Sequence, residues 1–162
     1  MKFLRLPHLL FPAALFLMLV ASSPAWSQAH ERRFGDYTIR SSTAGTENLS
    51  AETARAHGIE RGPRKAVLNV TVLKKEDGTE KTVPARLRVY VRNLTQERRQ
   101  IDMRETAAGG YVSYMGTYDF VHGAVLDFTI EAQPENSGKT LTMTYRERMW
   151  AHGDLPDVPP QR

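Results

Sequence analysis

The sequence predicts an all-β fold, an antiparallel β-sandwich of about seven strands with one short helix near its start. Two observations predict it. Apolar and polar residues alternate with period 2 in segments such as 66–73, 86–92 and 124–132. Turn signals, Asp77-Gly78 clearest among them, separate these segments at short intervals. Together they point to a sandwich of immunoglobulin type, with no internal repeat.

The elements follow in chain order. Residues 1–29 read as a cleavable signal peptide. Lys2 and Arg5 supply the positive start, and residues 9–20 are a nearly unbroken apolar run of twelve. That run is too short to span a bilayer, which takes about 20 residues. Ser27 and Ala29 put small side chains at the −3 and −1 positions, so cleavage is expected after Ala29. Ser23-Pro24-Ala25 is a second candidate, but it would leave Trp26 at the new N-terminus.

A domain over 30–152 follows, beginning with a mobile lead-in at Glu31-Arg32-Arg33. A first strand is expected over 34–40. Ser50 caps a short helix over 51–57, with Glu52 in its first turn and Gly58 ending it. Ala66, Leu68, Val70 and Val72 share one face of the next strand. A hairpin turn at 75–79 leads to a returning strand over 86–92, with Leu87, Val89 and Val91 inward and Arg86, Arg88, Tyr90 and Arg92 outward. A further strand runs through Arg99, Ile101 and Met103. Residues 107–110 read as flexible, and 111–115 as strand. His122-Gly123 marks a bend. Leu126, Phe128 and Ile130 point inward from a strand over 124–132. The last strand, 139–150, places Leu141, Met143 and Tyr145 on one face. Residues 153–162 hold Pro156, Pro159 and Pro160 and read as a disordered tail.

Composition narrows the function classes. The formal charge of +4 falls to +2 once Lys2 and Arg5 leave with the leader. A nucleic-acid-binding domain usually carries a larger, concentrated basic excess. Cysteine is absent, which removes disulfides, thiolate metal sites and a cysteine nucleophile. An exported domain without cysteines fits a bacterial periplasm better than a disulfide-rich eukaryotic secretion. No segment after the leader is apolar enough to span a membrane.

Several stretches occur together in order: Phe34-Gly35-Asp36-Tyr37, the helical stretch from Leu49 to Ile59, Lys65-Ala66-Val67-Leu68-Asn69-Val70-Thr71-Val72-Leu73, Val91-Arg92-Asn93-Leu94, and Tyr118-Asp119-Phe120-Val121-His122-Gly123. This arrangement resembles the family catalogued as domain of unknown function 4426, small exported proteins of Gram-negative bacteria. The resemblance spans the mature chain apart from the tail. It implies a periplasmic location and a sandwich, and it supplies no activity.

Four constellations carry chemistry. Cleavage after Ala29 would make His30 the mature N-terminus, whose amine and imidazole can chelate copper. A second histidine (His57, His122 or His152) would complete a nitrogen site of the kind Cu(II) favours. Met103, Met115, Met143 and Met149 are soft ligands for Cu(I), but they do not cluster in sequence and read as core filler. Asp119 and His122 could orient a base for hydrolysis, and Ser113 is the nearest hydroxyl, yet the Gly-x-Ser-x-Gly elbow is absent. Arg86, Arg88 and Arg92 with Tyr90 form a basic stripe that could hold an anionic partner or could be a solvated face paired with Asp127 and Glu131. Tyr111, Tyr114, Tyr118 and Phe120 read as core. The expected function is a non-enzymatic interaction module for an envelope protein or peptide, with copper at His30 the alternative cofactor.

Overall fold

The computed structural model describes residues 28–135 and 137–151. The leader up to residue 27, His152 and the proline-rich tail lie outside the described residues. The described chain folds into β1 (Gln28–Phe34), β2 (Tyr37–Gly45), a 3-10 turn (Thr46–Asn48), α1 (Ala51–Ala56), β3 (Lys65–Glu76), β4 (Thr79–Thr82), β5 (Ala85–Arg92), β6 (Arg98–Ile101), β7 (Arg104–Ala108), β8 (Tyr111–Asp119), β9 (Val125–Pro134) and β10 (Leu141–Arg148).

These strands form two antiparallel sheets. The larger has the order β1-β2-β3-β8-β7, with β4 paired to β3; the smaller has the order β10-β9-β5-β6. Strands β2, β3, β8 and β7 against β5, β9 and β10 reproduce the immunoglobulin arrangement, with β6 as an extra strand of the smaller sheet. The expected sandwich is therefore the observed fold.

The core follows from the alternation. Ile39, Leu68, Val70 and Val72 from one sheet meet Val89, Phe128 and Ile130 from the other, all fully buried. Apolar burial of this kind is the main driving force for such a fold. Ser50 caps α1 as expected, its Oγ accepting from the Thr53 N–H at 3.0 Å.

Several sequence expectations need correction. The single strand over 34–40 is two strands. Gly35, at φ 61°, turns the chain, so β1 and β2 form a hairpin. The Glu31-Arg32-Arg33 segment lies within β1 rather than in a mobile lead-in, each residue paired across to β2. The Asp77-Gly78 turn, with φ of 50° and 81°, returns the chain into β4. It does not lead directly to β5, which belongs to the other sheet. Pro84 lies between the two strands; it has no N–H to continue the ladder, and its carbonyl instead accepts from Glu135 at 2.9 Å. Ala107 and Ala108 close β7 instead of a flexible loop. These added hairpins make ten strands among the described residues, against about seven expected.

The smaller sheet meets the larger again where residues 101–104 cross over. Gly116 of β8 sits beneath this crossing. A side chain there would meet Ile101 Cγ2 and Met103 Sδ at 2.7 Å and the Asp102 carbonyl at 2.8 Å.

Candidate functional site: a polar seam between two edge strands

Strands β1 and β10 are outer strands of the two sheets and face each other along one flank of the sandwich. Register decides which side chains enter the gap. His30 pairs with Ser41, and Ser41 with Val70, so His30 and Ser41 share the inward face of the larger sheet. Thr43, two residues further along β2, joins them. On β10, Met143, Tyr145 and Glu147 alternate inward, and Met149 continues the same side just past its end.

These residues build a buried polar cluster. The His30 ring stacks on Tyr145 with centroids 3.9 Å apart, and Tyr145 stacks in turn on Phe128 at 4.9 Å. The Tyr145 hydroxyl and Ser41 Oγ share a hydrogen bond of 2.9 Å. Tyr118 Oη donates to Met149 Sδ at 3.7 Å. Burial pushes the acidity of both tyrosines well above the ordinary range. They therefore act as neutral hydroxyls.

Glu147 is the exception in this flank. Its side chain is only 5% exposed, and its Oε2 lies 3.5 Å from His30 Nε2. The Thr43 hydroxyl is the polar neighbour that Glu147 shares with Tyr118 and Tyr145. Burial raises the Glu147 pKa to about 7, the neighbouring Thr43 hydroxyl opposing the shift. Burial also lowers the pKa of His30. The His30 Nε2 atom is buried here without a close hydrogen-bond partner. Such orphans are rare in folded proteins and call for an explanation.

The expected sites fall elsewhere as well. The outer face of the smaller sheet carries Arg86, Arg88, Tyr90 and Arg92 from β5, with Arg98 from β6 and Arg146 and Arg148 from β10. Asp127 receives Arg146 at 2.6 Å and Arg92 at 3.4 Å, and these bonds hold its pKa below the usual carboxylate value. Glu131 stands 3.9 Å from Arg88. The Arg98 guanidinium lies 3.6 Å over the Tyr90 ring. Much of the stripe is thus paired across the strands.

The histidines do not converge. His122 sits in the turn after β8, where its Nδ1 accepts from the Ala151 N–H at 3.2 Å and its ring meets Trp150 edge-on. His57 caps the end of α1. No group of three His, Asp or Glu side chains suited to a metal occurs among the described residues. Asp119 pairs with Lys65 at 3.3 Å. Ser113 lies six residues up β8 from Asp119, roughly 20 Å by strand rise. Tyr114, Tyr118 and Phe120 are buried as expected, whereas Tyr111 is exposed. The Tyr114 hydroxyl accepts from the Ala85 N–H at 2.8 Å, fastening β8 to the start of β5.

A shallow groove of about 640 Å³ lies beside the end of α1, lined by residues including His57, Ile59, Asp102, Arg104 and Met115. No helix among the described residues is long and apolar enough to cross a membrane.

Sheet order and interior thus define an immunoglobulin-like sandwich with a polar flank. The family model described as a domain of unknown function, DUF4426, matches residues 31–152, and the chain belongs to this family. A crystal structure of a DUF4426 family protein from Pseudomonas aeruginosa matches with a TM-score of 0.66 at 20% identity, covering 76% of this chain and 95% of that one. FetP of uropathogenic Escherichia coli, recombinantly expressed in the E. coli periplasm, matches with a TM-score of 0.58 at 9% identity over 78% of this chain and 96% of that one. A copper-bound FetP variant matches with a TM-score of 0.58 at 10% identity, covering 77% and 97%. No curated protein matches the chain.

Proposed function

We propose that this chain is an exported, non-catalytic binding module of the bacterial envelope, recognising an acidic protein or peptide through the outer face of the smaller sheet. One observation carries the reading. That face gathers six arginines, Arg86, Arg88, Arg92, Arg98, Arg146 and Arg148, against two carboxylates, Asp127 and Glu131. Threonines 129, 142 and 144 lie between them. Guanidinium groups fixed on strands suit bidentate pairing with carboxylates, and the surplus charge steers an acidic partner. Lys2, Arg5 and the apolar run at 9–20 support export, as does the likeness in fold to a protein recombinantly expressed in the periplasm.

The test is capture from native envelope extract with the mature protein and with a triple charge reversal, Arg86→Glu, Arg88→Glu and Arg98→Glu. A specific partner held by the native protein, lost in the variant and released by salt, is the expected result. No specific partner, or one held equally by the variant, overturns the reading.

A second reading, copper at a mature N-terminal His30, is favoured by the position of that residue. Cleavage after Ala29 would make His30 the first residue of a strand that begins at Gln28 in the uncut chain. Its ring is already fixed by Tyr145. The likeness in fold to a copper-bound protein adds support. Mass spectrometry of the mature N-terminus tests it first, since any start other than His30 removes the chelating amine. Cu(II) binding that His30→Ala abolishes is the expected second result.

A further inference from the structure

We infer that the end of β8, from Thr117 to Asp119, is an open docking edge for an extended, acidic peptide segment of a partner protein, seated in the groove between α1 and β7. Recognition there runs through backbone hydrogen bonds, so it is separate from the arginine face and from the seam at His30.

Register is the first argument. The Phe120 N–H donates to the Arg64 carbonyl at 3.0 Å, and residues 114–119 of β8 lie opposite 65–70 of β3 without a break. Hydrogen-bonded and non-bonded positions alternate in an antiparallel ladder. Tyr118 and Gly116 therefore bond to β3, whereas Thr117 and Asp119 turn their N–H and C=O groups to the opposite side. Strand β7 would cover them there, but its pairing stops at Arg104, opposite Met115. Upstream of Arg104 the chain belongs to β6, where Ile101 pairs with Val89 of the other sheet. Gly116 permits that departure, since a side chain there would collide with the Asp102 carbonyl at 2.8 Å. Among the described residues, no backbone bond beyond the β3 ladder reaches Thr117 or Asp119. Both residues are exposed. An internal strand thus ends in the kind of unpaired edge that templates another strand.

The groove beside this edge says what the segment carries. It holds about 640 Å³, within the range of ligand sites, and Thr117 lines it. A peptide added to a strand edge gains affinity from its backbone and specificity from alternate side chains. Ile59, Val67 and Met115 offer contact to one apolar side chain. Arg104 offers a cation to an acidic one. Its guanidinium reaches α1, where a Cβ on Gly58 would lie 3.8 Å from Nη1, and it makes no ion pair among the described residues. Of the two acids that also line the groove, Glu105 is engaged by the Tyr114 hydroxyl at 3.0 Å, and Asp102 stands on the crossing between the sheets. Arg104 is therefore the charge left for a partner's carboxylate.

The experiment selects phage-displayed random heptapeptides on the intact purified protein and maps the recovered peptide by isotope-edited NMR. An acidic peptide that slows amide exchange at Thr117 and Asp119 is expected. N-methylation of alternate peptide residues should abolish binding at one set of positions and spare it at the other. Thr117→Pro deletes an N–H that the fold leaves unused, as an edge position tolerates, and should weaken binding about tenfold. Arg104→Ala should weaken it several-fold. If Thr117→Pro fails to fold, which thermal unfolding reports, the N-methylated peptides carry the same test on the native protein. No enriched peptide, binding that Thr117→Pro and Arg104→Ala leave unchanged, or protection that misses Thr117 and Asp119 overturns the site. Protection of these amides in the protein alone that grows with its concentration also overturns it, and assigns the edge to a second copy. The triple charge reversal on the arginine face should leave this binding unchanged, so the two proposals fail separately.

Discussion

The centre and one flank of the same sandwich interior are built by different rules. At the centre, Leu68, Val70, Val72, Val89, Phe128 and Ile130 interdigitate without a polar side chain. At the flank between β1 and β10, residues at equivalent inward positions are His30, Ser41, Thr43, Tyr145 and Glu147. Both regions are buried, yet only the flank contains an orphaned polar atom, His30 Nε2. Folding energetics alone would fill both with hydrocarbon, because burying a carboxyl opposes folding. The difference teaches that burial alone does not make an interior apolar: the flank keeps polar side chains at a cost in stability.

The largest break in this contrast comes from the centre. Phe128→Ala should destabilise the fold by about 3–5 kcal/mol, read by urea unfolding, because it empties the middle of the interior. A comparable loss at the flank would erase the distinction.

The next effect has the opposite sign. Glu147 binds its proton more tightly in the folded state, at about 7 against a reference of 4.5. Its contribution is therefore present in acid and fades as pH rises from about 4.5 through 7, by on the order of 2–3 kcal/mol. His30, with its pKa lowered by burial, acts in the reverse sense just below its ordinary value of 6.5. Tyr118 and Tyr145, which also face Glu147, stay neutral throughout. Glu147→Gln should therefore stabilise the protein at pH 8 and flatten this pH dependence, measured by denaturation at pH 5 and 8. A destabilised variant at pH 8 contradicts the cost of the buried carboxyl.

A smaller effect tests the satisfied part of the flank. Tyr145→Phe keeps the stack on His30 but loses the bond to Ser41, and should cost about 0.5–1.5 kcal/mol in urea unfolding. Least of all, Arg88→Ala removes an exposed guanidinium 3.9 Å from Glu131 and should shift the unfolding midpoint negligibly, within about 0.5 kcal/mol.

The centre was legible in the sequence and the flank was not, for a physical reason. Strands β3, β5 and β9 bury apolar residues at every second position, so period 2 exposes them. Strand β1 turns His30 inward and carries Glu31, Arg32 and Arg33 beside it, so its sequence shows no apolar alternation. The signal for Glu147 was present. Continuing the Leu141, Met143, Tyr145 spacing one step further reaches it, and its acidic character hides its inward position. The turn after β3 was legible, but the shift from β4 to β5 was not. Sequence marks a hairpin turn locally, whereas the choice of sheet rests on Pro84 and on contacts with β9.

The four outermost strands have a consequence for behaviour in a crowded compartment. β1, β7, β6 and β10 each leave one backbone edge open to pairing with another chain. All four carry charge along that edge: Glu31, Arg32 and Arg33; Arg104 and Glu105; Arg98 and Arg99; Arg146 and Arg148. Strand-by-strand growth into fibres would have to bring these side chains into register with copies of themselves. Charged edges of this kind disfavour strand-by-strand pairing between copies.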